Sequence, residues 1–232
     1  MKRIGIIAAM SGELKPLVQG WKQLRAGPGE AAWQGFIEDA PCIATCAGMG
    51  SDAAWRACSR AAKDGPLSAL ISIGWAGALS CGMMPGDAYF VNEVVDDATG
   101  EAFPTDSVFH PGSGAPLKLV TIDHVAVGPE KKKLGVGHHA VLADMEAATV
   151  ARFARDHGCG FYCLKAVSDS MGEVMPDFSR YTDNRGHLRL SALLAHVAIR
   201  PQYWPGLARM GRNGSRGAVA IAQALGPMAK QL

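Results

Sequence analysis

Short apolar runs bounded by glycine, proline or charge recur along the chain: Ile4 to Met10, Pro41 to Ala47, Leu67 to Trp75, Ala88 to Val95, Leu117 to Ile122 and Gly160 to Val167. Most have strand length and are apolar throughout, which predicts strands buried on both faces. Between them lie helical candidates over Gly12 to Leu24, Asp52 to Lys63, Asp144 to His157 and Leu188 to Ile199. The third is the clearest. Asp144 can cap it, Met145, Ala148, Val150, Ala151 and Phe153 supply an apolar face, and Gly158 can end it. Strands alternating with helices predict an α/β fold, a central mixed sheet flanked by helices. Residues 98 to 117, rich in Gly, Pro, Ser and Thr, read as a long loop, and Lys131-Lys132-Lys133 as a solvated turn or helix start. No internal repeat or linker interrupts the pattern, so residues 1–232 read as a single domain.

Composition adds limits to this picture. At 232 residues, 48% hydrophobic and 19% charged, the chain can bury a sizeable core and belongs with ordinary globular proteins. The apolar run after Met1-Lys2-Arg3 mimics a signal peptide, but Glu13 and Lys15 break it early. No stretch reaches the roughly 18 apolar residues of a membrane span, and a cytoplasmic protein is expected. The six cysteines sit in apolar runs without CxxC or Cys/His spacing, which predicts reduced, buried thiols and neither disulfides nor a metal site. Net charge is +2, unevenly placed: after Asp183 come seven basic and no acidic residues. A basic helical tail is therefore expected at about 185–232.

In an open α/β sheet, ligands sit beyond the carboxyl ends of the strands, so the residues that end each run are the ones to weigh. Five such ends stand out: Met10 to Glu13, Ala47-Gly48-Met49-Gly50, Gly74-Trp75-Ala76-Gly77, Met145-Glu146 and Ser168-Asp169. Taken singly, each has a structural explanation. Gly48, Gly50, Gly74 and Gly77 can serve only to turn a strand. Glu13 and Glu146 can be carboxylates favoured by a helix start, and Ser168-Asp169 can be a strand-end cap.

Their order carries more. Ile4 to Glu13, then Gly74-Trp75-Ala76-Gly77-Ala78-Leu79 with Pro85-Gly86-Asp87, then Asp144-Met145-Glu146-Ala147, then Lys165-Ala166-Val167-Ser168-Asp169 form a series. It resembles the successive signatures of the nucleoside phosphorylase and methylthioadenosine/S-adenosylhomocysteine nucleosidase superfamily, over most of residues 3 to 180. The resemblance implies that Asp169 faces N7 of a purine and protonates it, and that Ser168 holds the loop. It implies that Glu146 binds ribose hydroxyls, that Met145 packs on the sugar and that Phe178 stacks on the base. Glu13 would orient the attacking water, and Met49, Ala76 and Gly77 would line the substrate. It implies no cofactor and no metal, a small nucleoside as ligand, and a homodimer or larger homo-oligomer.

The chemistry fits these roles. Glycosidic cleavage builds positive charge on the sugar and negative charge on the leaving base, so an acid beside the base lowers the barrier. An ordinary aspartic acid, with a pKa of about 3.9, would need burial to hold a proton for that step. Glu146 is expected to stay ionised and to favour the cationic sugar. Phosphorylases of the superfamily hold phosphate with arginine, one of them just before the central glycine motif. Here Ile71-Ser72-Ile73-Gly74 lacks one, and Glu13 would repel phosphate, so water is the expected nucleophile.

Trp75 at a usually small position, Lys165 in place of a common arginine, Val125 in place of an aromatic and a short stretch from Asp87 to Asp144 depart from the nucleosidase pattern. Gly100 to Asp106 and Arg200-Pro201-Gln202-Tyr203-Trp204-Pro205 resemble instead the hopanoid-associated phosphorylase-like branch, which implies adenosylhopane as a substrate. Trp204, Leu207 and Met210 beside Arg209 and Arg212 could then rest on an anionic membrane, or could pack on the domain. A phosphate-dependent phosphorylase and a non-catalytic nucleoside-binding protein, with Trp75 plugging the nucleophile pocket, remain alternatives. A dinucleotide module is disfavoured by the absence of GxGxxG, and nucleic-acid binding by the lack of an aromatic-basic pattern.

Overall fold

The computed structural model describes residues 3–106, 116–173, 178–181, 183, 185–187 and 189–230. The chain opens with strand β1 (Arg3–Ala8), a one-turn helix α1 (Ser11–Leu14) and strands β2 (Lys22–Leu24), β3 (Ala31–Ile37) and β4 (Ala40–Cys46). Helix α2 (Ser51–Ala62) leads into the long central strand β5 (Leu67–Ala78). Then come β6 (Ala88–Val91), β7 (Glu93–Asp96), β8 (Ala102–Pro104), β9 (Lys118–Thr121) and helix α3 (Pro129–His138). Strand β10 (Leu142–Asp144), helix α4 (Ala147–Asp156) and strand β11 (Gly160–Asp169) follow, then helices α5 (Leu190–Ala198) and α6 (Trp204–Ala229). Two 3-10 turns, Phe178–Tyr181 and Pro201–Tyr203, flank α5.

The expected α/β mixed sheet is present, with 11 strands among the described residues. Its path runs β2-β3-β4-β1-β5-β10-β9-β7-β8, and β11 joins β5 to β6. Strand β5 is the hub: it runs parallel to β1 and β11 and antiparallel to β10 at Gly77 and Ala78. Because β1 leaves β5 at Ser72, β10 can take up the same strand further along. Apolar clusters cover both faces, one built on α2 and α4, the other on α1 and α6. Buried runs of this kind are what a sheet covered on two sides requires.

Several boundaries differ from the sequence expectation. The helix expected over Gly12 to Leu24 stops after one turn, because Pro16 cannot donate to the helix ladder, and the chain turns at Gly20 (φ 78) into β2. The run Ala88 to Val95 divides at Asn92 into β6, paired with β11, and β7, paired with β9. Asn92 Oδ1 accepts from the Leu117 N–H at 2.8 Å, which fixes the chain where it crosses between sheet regions. Asp144 ends a strand, and its Oδ2 accepts from the Ala147 N–H at 2.9 Å, so α4 begins three residues later than expected. Residues 98 to 117, expected as a loop, contain β8, and residues 107–115 of that stretch lie outside the described ones.

The basic tail is helical, as α5 and a 26-residue α6. Helix α6 lies tightly against β11: a Cβ at Gly217 would come 2.5 Å from the Ala166 Cβ, so only glycine permits this approach. Of the two readings left open for Leu207 and Met210, lipid contact or packing on the domain, they take the second and pack against Leu193 and Val197. Trp204 remains 54% exposed. Among the described residues no helix is long and apolar enough to cross a membrane.

Candidate active site

The carboxyl ends of β1, β5, β10 and β11 converge on one cavity of about 100 Å³. Of the residues singled out in the sequence, Glu13, Met49, Ala76 and Gly77 line it. Met145, Glu146, Ser168 and Asp169 line it as well. Phe178 opens a 3-10 turn, and its side chain lies outside the described ones.

Glu13 is buried, and its carboxyl is clamped by backbone donors: Ala9 and Met10 N–H reach Oε2 at 2.9 and 2.8 Å, and Trp75 N–H reaches Oε1 at 2.8 Å. Burial raises its pKa, while the Met10 and Trp75 N–H groups and the Lys165 charge pull the other way. The clamp explains Gly74, whose φ is 130° and where a Cβ would lie 2.7 Å from Glu13 Oε1.

Glu146 stands at the start of α4, and its Oε1 accepts from the Gly50 N–H at 2.8 Å, tying the Gly48-Met49-Gly50 turn to the cavity. Burial, and then the neighbouring Asp144 charge, push its pKa up to about 8. In the unliganded cavity burial and Asp144 thus work against the ionised Glu146 that was expected. Behind it, Lys165 Nζ pairs with Asp144 Oδ2 at 2.9 Å and donates to the Ile73 carbonyl at 3.2 Å. Burial opposes the Lys165 charge, yet Asp144 holds its pKa above the ordinary lysine value. Lys165 thus lies beneath the cavity and ties β11, β5 and β10 together.

Strand β11 loses register with β5 between Val167 and Asp169, which turns Ser168 and Asp169 toward the cavity mouth. Ser168 Oγ lies 2.6 Å from Asp169 Oδ1 and 3.3 Å from the Ala76 carbonyl, and Asn213 of α6 donates to the Ser168 carbonyl at 3.1 Å. The other Asp169 oxygen, Oδ2, forms an ion pair with Lys131. Lys131 is 2% exposed and also donates to the Ser170 carbonyl at 2.9 Å. This overturns the expectation that the lysine triplet is solvated: Lys132 and Lys133 are exposed, but Lys131 points inward. The signal available in the sequence was its place in the first turn of a helix begun by Gly128-Pro129.

Sequence reasoning missed the lining residues His124 and Ala126. Trp75, suspected of plugging the site, lines the cavity and donates from Nε1 to the Gly214 carbonyl at 3.0 Å, so it anchors α6. The free volume falls below the roughly 300 Å³ of usual ligand pockets, so a nucleoside-sized guest must displace side chains. The unbranched Met49, Met145 and Met210 can make room by rotamer change. Among the described residues no arginine lines the cavity, and no cluster of His, Cys, Asp or Glu has the makings of a metal site.

Comparison with known proteins agrees with this geometry. The 5'-methylthioadenosine/S-adenosylhomocysteine nucleosidase of Helicobacter pylori, solved with butyl-thio-DADMe-Immucillin-A, superposes with a TM-score of 0.71 at 17% identity, over 100% of this chain and 99% of its own. Futalosine hydrolase of Helicobacter pylori gives 0.72 at 15% identity, over 100% of this chain and 98% of its own. The 5'-methylthioadenosine nucleosidase of Arabidopsis thaliana gives 0.70 at 18%, over 98% of this chain and 95% of its own. At such identities the likeness is one of fold. A search of curated proteins finds no match. The family model described as the phosphorylase superfamily matches residues 3–130, more than half of the sequence, and the chain therefore belongs to that superfamily.

Proposed function

We propose that the protein cleaves the N-glycosidic bond of an adenine nucleoside with water, as a nucleosidase. The observation that carries this reading is the convergence of Glu13, Glu146 and Asp169 on one largely apolar cavity at the strand ends. Asp169 serves the departing base and Ser168 orients it through the 2.6 Å contact at Oδ1. Glu146 and Met145 take the sugar, Met49, Ala76 and Gly77 frame it, and Phe178 belongs to the base side. Glu13, held by its three N–H donors, positions the water. A buried carboxyl at this place disfavours phosphate, which supports hydrolysis over phosphorolysis.

Residues 1–232 form one such unit in this reading, and the basic tail closes the cavity through Met210. The 5′ substituent points toward this side, and a lipid-linked nucleoside such as adenosylhopane is the substrate we favour beside methylthioadenosine and S-adenosylhomocysteine. The protein then works in the cytoplasm, with peripheral contact at an anionic lipid surface. The test is to incubate the protein with adenosine and these three nucleosides, with and without phosphate, and to measure free adenine and the sugar product. Phosphate dependence overturns hydrolysis. Asp169→Asn is expected to lower turnover at least about 100-fold with nucleoside still bound, the scale of one acid-base group, and retained turnover removes Asp169 from the mechanism.

A further inference from the structure

We propose that Lys131 is a catalytic residue, and that its ammonium holds the proton delivered to N7 of the base while Asp169 positions it. The inference rests on the nucleosidase reading above. It begins from the ion pair between Lys131 Nζ and Asp169 Oδ2, both buried and both lining the cavity. Asp169 Oδ2 is engaged by Lys131 and Oδ1 by Ser168, so the donor that the pair presents to the cavity is an N–H of Lys131.

The pair is aimed at open space. A Cβ placed on Gly77 would lie 3.5 Å from Asp169 Oδ2 and 3.6 Å from Lys131 Nζ, so both polar ends border the volume that this glycine leaves free. Asp169 Oδ1 is held by Ser168, and Lys131 Nζ has the Ser170 carbonyl as a second anchor. An ammonium has three N–H bonds, and these two contacts leave one for a guest.

A donor beside an acceptor complements one edge of adenine, which presents the N7 acceptor beside the N6 amino donor. Lys131 faces N7 and Asp169 takes the amino group. A 6-oxopurine offers two acceptors there and would set its oxygen against the carboxylate. The pair therefore selects adenine as well as activating it.

The step balances as follows. A Nζ–H bond of Lys131 breaks and N7–H forms, while the C1′–N9 bond breaks and leaves its electron pair on the base. Water adds through oxygen to C1′, gives up one proton by way of Glu13 to solvent, and the neutral amine regains a proton from solvent. Nucleoside and water become base and free sugar.

Lys131→Met removes the proton and keeps the length. In the intact protein it is expected to lower kcat about 100-fold or more, the scale of one general acid. By calorimetry, wild type is expected to bind adenine about tenfold or more tighter than 7-deazaadenine, and Lys131→Met to bind both alike, as loss of a charged hydrogen bond requires. Lys131→Arg keeps a cation that cannot release its proton, so it is expected to keep the adenine preference and still lose turnover. Thermal melting checks each variant, and Lys131→Gln replaces the methionine variant if that one does not fold. If wild type neither releases base from any nucleoside nor binds adenine, the nucleosidase reading falls and this inference with it. If wild type is active and Lys131→Met keeps turnover within about threefold, or keeps the adenine preference, the Lys131 assignment alone is overturned.

Discussion

A carboxyl buried beside a second carboxylate favours its protonated form, and Glu146 is such a group, lifted by burial and by Asp144 to about 8. The sign of the linkage follows. Between the ordinary value of 4.5 and about 8 the folded chain holds a proton that the unfolded chain releases, so this contribution to stability is full below 4.5 and fades toward 8. Glu146→Gln imitates the protonated form at every pH. Its melting temperature relative to wild type is therefore expected to rise between pH 5 and pH 8, read by calorimetry at half-unit steps, and a constant difference argues against the assignment. Glu13 and Asp169 were legible because each follows an apolar run that the sheet was bound to bury, and Glu146 because it opens the clearest of the expected helices. Lys131 was not. It stands in a triplet whose other members face solvent, and only the path of the chain between β9 and β10 turns it inward.

At the scale of elements, the strands were legible where they are apolar on both faces and obscure where they are not. Strands β2 and β3, at one end of the sheet, are exposed or half-buried apart from Ala32 and Ile37, and little in their composition separates them from loop. The length of α6 was also hidden, since Gly206, Gly211, Gly214, Gly217 and Gly226 read as helix breakers. Close packing overrides that propensity: glycines 214 and 217 let the helix approach Trp75 and Ala166. With Leu207 and Met210 turned inward, the apolar surface of the tail is carried by Leu194, Ile199 and Trp204, which are 57%, 76% and 54% exposed. Apolar side chains among arginines suit the headgroup region of an anionic bilayer. The full chain is expected to sediment with vesicles containing phosphatidylserine, and Leu194→Glu with Ile199→Glu to abolish this while leaving nucleoside affinity unchanged. Equal sedimentation of the two proteins, or none by the wild type, overturns lipid contact.

For the whole molecule, the sequence pattern was enough for a two-sided mixed sheet but not for the branching at β5. Strand order depends on contacts between residues far apart in sequence, such as β11 with β5, that no local pattern encodes. Lys165 is where this long-range order becomes a residue. Its stem is enclosed in the strand layer, its Nζ reaches Asp144 on β10 and the Ile73 carbonyl on β5, and it is 1% exposed. Asp144 in turn accepts from Thr121 Oγ1 of β9 at 2.7 Å, so one buried charge network spans four strands beneath the cavity. Removing one partner of such a pair leaves an uncompensated charge and costs about 3–5 kcal/mol, whereas removing both can be nearly neutral. Lys165→Met is therefore expected to lower the unfolding free energy from urea titration by a margin of that size. Lys165→Met with Asp144→Asn is expected to recover most of it, because the amide oxygen can still accept from Thr121 or Ala147. Simple addition of the two single losses in the double variant would mean that the residues stabilise the sheet independently and that the network does not join its branches.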